Sequence, residues 1–117
     1  MICALLLALT ISAVNPFIGS GGHGHVFVGA DVPHGQVHAG PMNTTLGWDW
    51  CSGYHASDST FAGFAQTRLG GTGVADYGDI VIRPQLTSSF DPSEHFLKST
   101  EECTPGYYSV TISDGIR

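Results

Sequence analysis

Positive charge is what this sequence has least of. Arg68, Arg83, Lys98 and Arg117 are its only Lys or Arg residues, against 10 Asp and Glu in 117 residues. A formal net charge of −6 removes the basic footprint that nucleic-acid binding needs and offers little hold on an anionic membrane surface. Charged residues are 12% of the chain, about half the usual ~25%. Low charge combined with 42% hydrophobic residues is the wrong composition for a disordered chain. Heptads and long amphipathic helices are absent, which excludes coiled coils and helical bundles. No C-x-x-C pair occurs among Cys3, Cys51 and Cys103, so a zinc ribbon or thioredoxin-type site is excluded. The odd count argues against a disulfide-built miniprotein, and the spacing allows a Cys51–Cys103 bridge or two free thiols. The apolar run from Ile2 to Ile11 is about half the ~20 residues of a membrane-spanning helix. Residues 1–13 read either as a signal-peptide remnant, with Ser12-Ala13 near the cleavage site, or as a buried strand. The missing N-terminal cation and bulky Ile11 count against the first.

What is abundant is glycine, 16 residues of 117 and roughly double its usual ~7%. Gly, Pro, Asn, Asp and Ser punctuate the chain so closely that any regular element must be short. The segment from Gly19 to Gly47 reads as long loops around a short strand, Val26-Phe27-Val28. Ile80-Val81-Ile82 reads as a buried strand, and the polar stretch from Ser88 to Thr104 as a connection. The clearest strand is the last: Tyr108, Val110 and Ile112 alternate with Tyr107, Ser109 and Thr111, putting the apolar set on one sheet face. Asp114-Gly115 then signals a hairpin turn with positive φ at both positions. With only Ile116 and Arg117 after it, the expected returning strand is missing, which predicts a domain truncated at its C-terminal end.

Gly19-Ser20-Gly21-Gly22-His23-Gly24 matches G-x-G-x-x-G by letter. It neither follows a strand nor opens a helix, as a dinucleotide site requires. A glycine loop whose backbone closely approaches a ligand or another chain segment is the better reading. His23, His25, His34, His38 and His55 cluster in sequence, but the spacing suits no helical zinc motif, and structural or hydrogen-bonding roles are expected for most. His23 is kept as a ligand contact. Gly70-Gly71-Thr72-Gly73 with Asp76-Tyr77-Gly78-Asp79 fits neither a phosphate loop nor a calcium loop. Asp49, Asp58, Asp76 and Asp79 allow a paired-carboxylate hydrolase site, although nothing in the sequence brings two of them together. Both tryptophans fall in Gly47-Trp48-Asp49-Trp50-Cys51-Ser52-Gly53-Tyr54-His55. On a strand, Trp48 and Trp50 would share one face and Asp49 the other. An indole packs on the apolar C–H face of a sugar while carboxylates and imidazoles bind its hydroxyls. Two core tryptophans with a satisfied Asp are the alternative.

These letters, taken together, carry a resemblance. Val14-Asn15-Pro16-Phe17-Ile18-Gly19 running into Gly21-Gly22-His23-Gly24-His25 resembles the start of glycoside hydrolase family 92, the calcium-dependent exo-α-mannosidases. So do the Trp48–His55 block with Ser57-Asp58-Ser59-Thr60, Gly71-Thr72-Gly73 with Ala75-Asp76-Tyr77-Gly78-Asp79, and Thr104-Pro105-Gly106-Tyr107-Tyr108-Ser109-Val110, in the family's order. The resemblance implies a mainly β fold, a partial, supersandwich-like β-sandwich over 14–117. In the family this N-terminal domain packs on an (α/α)6 barrel. The implied parent reaction is inverting hydrolysis of terminal α-mannose, α-1,2 in type, from N-glycans or mannans, with an acid and a base on opposite sides of the sugar. Those carboxylates and the calcium ligands are implied to lie in the later domain, with no catalytic or metal residue here. The chain then supplies pocket wall through Gly22, His23, Trp48, Asp49, Trp50, Cys51 and His55, one of the tryptophans meeting the sugar next to the cleaved bond. The expected partners are a mannose-containing oligosaccharide and the barrel domain, and the expected location is secreted or periplasmic. A non-catalytic carbohydrate-binding module or an inactive gene fragment is the rival reading. The sequence departs from the family's pattern at Gln66 and Arg68, where histidines are usual, at Val74, and across Pro33-His34-Gly35-Gln36-Val37-His38.

Overall fold

The computed structural model describes residues 11, 13–29, 37–66, 73–75 and 80–117. Several sequence readings fall outside them: residues 1–10 and 12, Pro33 to Gln36, Arg68, the Gly70-Gly71-Thr72 run and the Asp76–Asp79 turn. Among the described residues five short strands carry the regular structure: β1 (Gly40–Met42), β2 (Gly63–Ala65), β3 (Val81–Ile82), β4 (Glu102–Thr104) and β5 (Tyr107–Ser109). Two single-turn 3-10 segments, Trp48–Trp50 and Lys98–Thr100, lie between them. The fold is therefore mainly β, and every strand pair is antiparallel.

β2 lies between β1 and β3, with Gly40 opposite Ala65, Met42 opposite Gly63 and Phe64 opposite Ile82. β4 and β5 form a hairpin with Glu102 opposite Ser109 and Thr104 opposite Tyr107. Its turn has Pro105 at the first central position, where a fixed negative φ is wanted, and Gly106 with φ 80° at the second, the arrangement of a type II turn. Between the sheets runs the 94–97 segment, pinned on both edges. Phe61 donates to the Glu94 carbonyl (3.1 Å) and Phe96 to that of Ser59 (2.6 Å), while on the other side Leu97 donates to Thr111 (2.9 Å) and Ser113 to His95 (2.9 Å).

That segment brings Phe96 into the core. Phe61, Phe96, Val110 and Ile112 are buried together, with Phe64, Tyr108 and Ile116 packed against them. The rings meet edge to face, Phe61 on Phe96 at 4.9 Å and Phe64 on Tyr108 at 6.1 Å between centroids, the geometry that aromatic quadrupoles favour. The two sheets thus touch through Phe64 of β2 and Tyr108 of β5.

Five expectations need correction. Ser88–Thr104 is no mere connection, since it holds Phe96 and β4; one aromatic in a polar run gives no periodic signal. The partner of the Tyr107 strand is β4, before it. The ladder itself ends at Ser109, although Val110 and Ile112 keep the predicted inward alternation. Val81 and Ile82 are exposed rather than buried, because β3 has β2 on one side only and its side chains are left uncovered by the described residues. Val26-Phe27-Val28 forms no strand, although Val28 is fully buried. Asp114-Gly115 does turn the chain, but only Gly115 has positive φ (91°). Gly115 donates to the Ile112 carbonyl and Ile112 to that of Ile116, both at 2.9 Å, the pattern of a three-residue turn closed by a glycine bulge.

Arg83 ties this architecture together. Its Nε and Nη2 donate to Glu94 Oε2 at 3.0 and 2.7 Å, its Nη1 to the Phe61 carbonyl at 3.2 Å, and its Nη2 also to the Asp91 carbonyl. The guanidinium lies over the Phe90 ring at 4.5 Å. Both charged side chains are over nine-tenths buried, so each depends on the other. Loss of one partner should therefore cost more than loss of both: Arg83→Met and Glu94→Gln singly by about 3–5 kcal/mol, and the double substitution by less than the sum. Urea denaturation midpoints of the three variants check this.

Candidate functional site

The site begins with two loops that the backbone locks. In the first, Ser20 donates to the Phe17 carbonyl through both its backbone N–H (3.1 Å) and its hydroxyl (2.8 Å), and Val26 donates to Gly19 (3.2 Å). A Cβ on Gly24 would lie 1.9 Å from the Gly19 carbonyl oxygen, so only glycine lets the loop close. The close approach expected of the glycine motif is thus to the chain itself. The second loop follows β1. The buried Asn43 side chain donates to the Asp58 and Thr60 carbonyls (3.2 and 2.7 Å) and accepts from the His55 N–H (2.7 Å). Its backbone N–H reaches Gly53 (2.8 Å). One side chain therefore gathers residues 53–60 around the end of β1.

Between these anchors the Trp48–Trp50 segment is a 3-10 turn, closed by Trp50 donating to Gly47 (3.1 Å) and Cys51 to Trp48 (3.3 Å). This corrects the expectation of a strand. With three residues per turn, consecutive side chains point a third of a circle apart, so Trp48 and Trp50 do not share a face. Trp50 turns inward: its Nε1 donates to Asp58 Oδ2 (2.8 Å) and its ring lies 5.0 Å from that of His55. Trp48 turns outward and is 60% exposed.

Around Trp48 stand His23, His25 and Asp49. The His23 ring is 5.2 Å from the indole, tilted, and the His25 ring 4.2 Å away, edge-on. His23 Nδ1 bonds Asp49 Oδ1 at 2.6 Å. His25 Nε2 is 3.6 Å from the same oxygen, beyond hydrogen-bond reach, and has no hydrogen-bond partner among the described residues although it is closed to solvent. His25 also holds φ at 55°, a left-handed conformation that costs a non-glycine residue on the order of 1–3 kcal/mol. Strain and an unsatisfied buried nitrogen coincide in one residue. The hydrogen bond from His23 holds the Asp49 carboxyl below its ordinary range, with His25 adding to the effect against a smaller desolvation penalty.

The other expected site residues divide. Gly22 supplies its carbonyl to His55 Nε2 (3.1 Å), and Ser57 donates to His55 Nδ1 through its backbone (3.3 Å) and lies 2.9 Å away through its hydroxyl. His55 therefore clasps the two loops together with both ring nitrogens engaged. Cys51 is a buried free thiol and Cys103 a free thiol partly buried. Neither His25 nor Asn43 is among the site residues expected from the sequence. His25 had a signal in its spacing, two residues from His23; Asn43 had none.

A second polar group gathers on Glu101. Tyr54 Oη donates to both Glu101 oxygens at 3.0 Å, Tyr108 Oη to Glu101 Oε1 at 2.6 Å, and Lys98 Nζ to Tyr54 Oη at 2.8 Å. Burial, then the Glu101 carboxylate, pushes both phenols far above their ordinary range, and burial draws Lys98 down. The phenols stay neutral donors, and their bonds point at one another, so this group is a structural cluster rather than a reaction centre. A separate open cleft of about 230 Å³, lined by Phe64, Pro84, Tyr108, Val110 and Ile112 among others, shares no residue with Trp48 and its neighbours. Among the described residues no set of three or more His, Cys, Asp or Glu side chains is arranged to hold a metal ion.

Asp58 responds to acid in a predictable direction. Burial raises its pKa, but bonds from Thr45, Thr60 and Trp50 outweigh that and lower it. A carboxyl whose folded pKa is depressed adds stability above its unfolded pKa, and that stability is lost as the pH falls through the folded value. Unfolding free energy measured by urea titration should therefore drop as the pH falls below the ordinary carboxylate range, and Asp58→Asn should flatten that drop while lowering stability at neutral pH.

Residues 13–117 match the family model described as the Glycosyl hydrolase family 92 N-terminal domain. Two solved structures of the family GH92 alpha-mannosidase of Bacteroides thetaiotaomicron, one of them in complex with mannoimidazole, align with a TM-score of 0.76 and 32% identity. Each covers 90% of this chain, which in turn covers 15% and 16% of theirs. An uncharacterized secreted glycosidase of Arthroderma benhamiae is 25% identical over 114 residues, 88% of this chain and 14% of that protein. The chain spans roughly a seventh of the length of these relatives.

Proposed function

Because the chain belongs to glycosyl hydrolase family 92, as its N-terminal domain, we propose that it forms the sugar-binding wall of an α-mannosidase. The observation that carries this is Trp48: an exposed indole, backed edge-on by His25 and flanked by the His23–Asp49 pair. A flat apolar face with polar groups at its rim matches a pyranose, which is apolar on its C–H faces and ringed by hydroxyls. The 32% identity to an α-mannosidase solved with mannoimidazole supports mannose as the sugar.

In this reading the substrate is a terminal α-mannose, α-1,2-linked, on an N-glycan or mannan. Trp48, His23 and Asp49 hold the sugar next to the bond that breaks. Trp50, Cys51, His55 and Gly22 set the shape of the loops that present it. The inverting acid and base are supplied outside this chain, from an (α/α)6 barrel domain packed on it; Asp58, Glu94 and Glu101 are spent on the fold, Asp58 on Trp50 and Thr60, Glu94 on Arg83, Glu101 on two tyrosines. Calcium is assigned to the same outside domain. A hard cation takes 6–8 oxygen ligands, whereas Asp49 is flanked by two imidazoles, so the site does not fit it. Exposed Leu46, two residues from Trp48, suits domain packing. An exported protein is the location consistent with the secreted relative; no helix among the described residues is long and apolar enough to cross a membrane.

Two substitutions separate the roles of the tryptophans. Titrating methyl α-D-mannoside into the chain, followed by NMR, should show Trp48→Ala weakening binding about tenfold, on the order of 1.4 kcal/mol, with the urea midpoint nearly unchanged. Trp50→Phe should instead lower stability by about 1–3 kcal/mol through the bond lost to Asp58. The purified chain should release no mannose from an α-1,2-mannobiose. Equal sugar affinity in wild type and Trp48→Ala would overturn the binding site, and mannose release at an enzymic rate would overturn the division of labour.

A further inference from the structure

We infer that Asp49 is a two-position carboxylate, and that a ligand hydroxyl taking His23 transfers it onto His25. The identity of that ligand as a mannoside rests on the function proposed above; the exchange itself does not. Asp49 Oδ1 stands between two imidazoles that differ in every respect that matters. His23, with its side chain 74% exposed, holds the carboxylate at 2.6 Å. His25, almost wholly buried, leaves Nε2 3.6 Å away and without a hydrogen bond among the described residues. A shift of under an ångström in Asp49 would give that nitrogen the partner it lacks.

The inner state is disfavoured at rest only because the outer bond is made. An exposed charge-assisted bond to His23 competes with water and is readily exchanged. A bond from a buried N–H to the same carboxylate removes an unsatisfied polar group and is made in a drier setting, where it is stronger. A polyol that hydrogen-bonds His23 therefore tips Asp49 inward. Both rings lie against Trp48, so the transfer also fixes the indole from behind as the ligand covers it in front. The strained left-handed backbone at His25 is consistent with a residue placed for this contact rather than for stability.

The test reads the histidine ring nitrogens directly by long-range proton–nitrogen NMR. His23 is exposed, so His23→Ala should fold normally. In that variant, without ligand, the His25 Nε2 resonance should move in the direction of a hydrogen bond to a carboxylate, and Asp49→Asn should abolish the movement. Saturating the wild-type chain with methyl α-D-mannoside should move the same resonance the same way. His25→Phe keeps an aromatic ring against Trp48 but removes the nitrogen, and should weaken mannoside binding about tenfold while the urea midpoint holds or rises. If His25→Phe does not fold, His25→Gly, which takes the left-handed backbone without strain and likewise removes the nitrogen, takes its place. An unmoved His25 resonance in His23→Ala overturns the exchange whatever the sugar does. Mannoside binding that leaves the resonance still, or binds His25→Phe as tightly as wild type, overturns the ligand-driven transfer. A shift in His23→Ala with no mannoside binding at all upholds the exchange and strikes the mannoside reading alone.

Discussion

The buried amide of Asn43 is the constraint on which the site depends. Placed directly after β1, it satisfies three backbone groups from residues 55, 58 and 60 with its two donor bonds and one acceptor bond. A chain this rich in glycine has high backbone entropy to lose and few long strands to offset it. A single fully bonded side chain in the interior substitutes for the ladder that such a loop cannot form. Everything that distinguishes Trp48 from Trp50 follows from it. Asp58, held by the same turn, draws Trp50 inward, and the tight 3-10 turn then leaves Trp48 nowhere to go but outward.

Elsewhere, order is maintained by groups that look catalytic and are not. Tyr54, Tyr108, Lys98 and Glu101 would draw attention in any search for acid–base chemistry. Their donors and acceptors are used up among themselves, and burial keeps the phenols protonated. The Arg83–Glu94 pair does the same for the other end of the core. Charges are few in this chain, and among the described residues Arg83, Glu94 and Glu101, with buried side chains, are committed to one another or to neighbouring donors. Asp49, only partly buried, has two claimants and one bond.

The sequence made some of this legible and hid the rest for identifiable reasons. The β character was readable because Tyr108, Val110 and Ile112 alternate over enough residues to define a period, and the inward face is where that period put it. Three letters of Trp48-Asp49-Trp50 are too short a window for period two to be told from period three, so the strand reading failed there. Phe96 was invisible because a lone aromatic has no rhythm, yet it lies at the centre of the core. Val81 and Ile82 read as buried because composition reports hydrophobicity and not which edge of a sheet a strand occupies. The Trp48–His55 block was recognisable as a unit, and His23 stands beside it. The importance of His25 lay in its backbone angle and its missing partner, neither of which a letter encodes.

Asn43 also begins the triplet Asn43-Thr44-Thr45, the acceptor pattern for N-linked glycosylation. In the folded chain the nitrogen that would carry the glycan is buried and already donates twice. Oligosaccharide attachment there and the native loop are mutually exclusive. In a secretory pathway that glycosylates, this domain has to close its loop before the transferase reaches it, and a glycan found by mass spectrometry on Asn43 would mark molecules that lost that race.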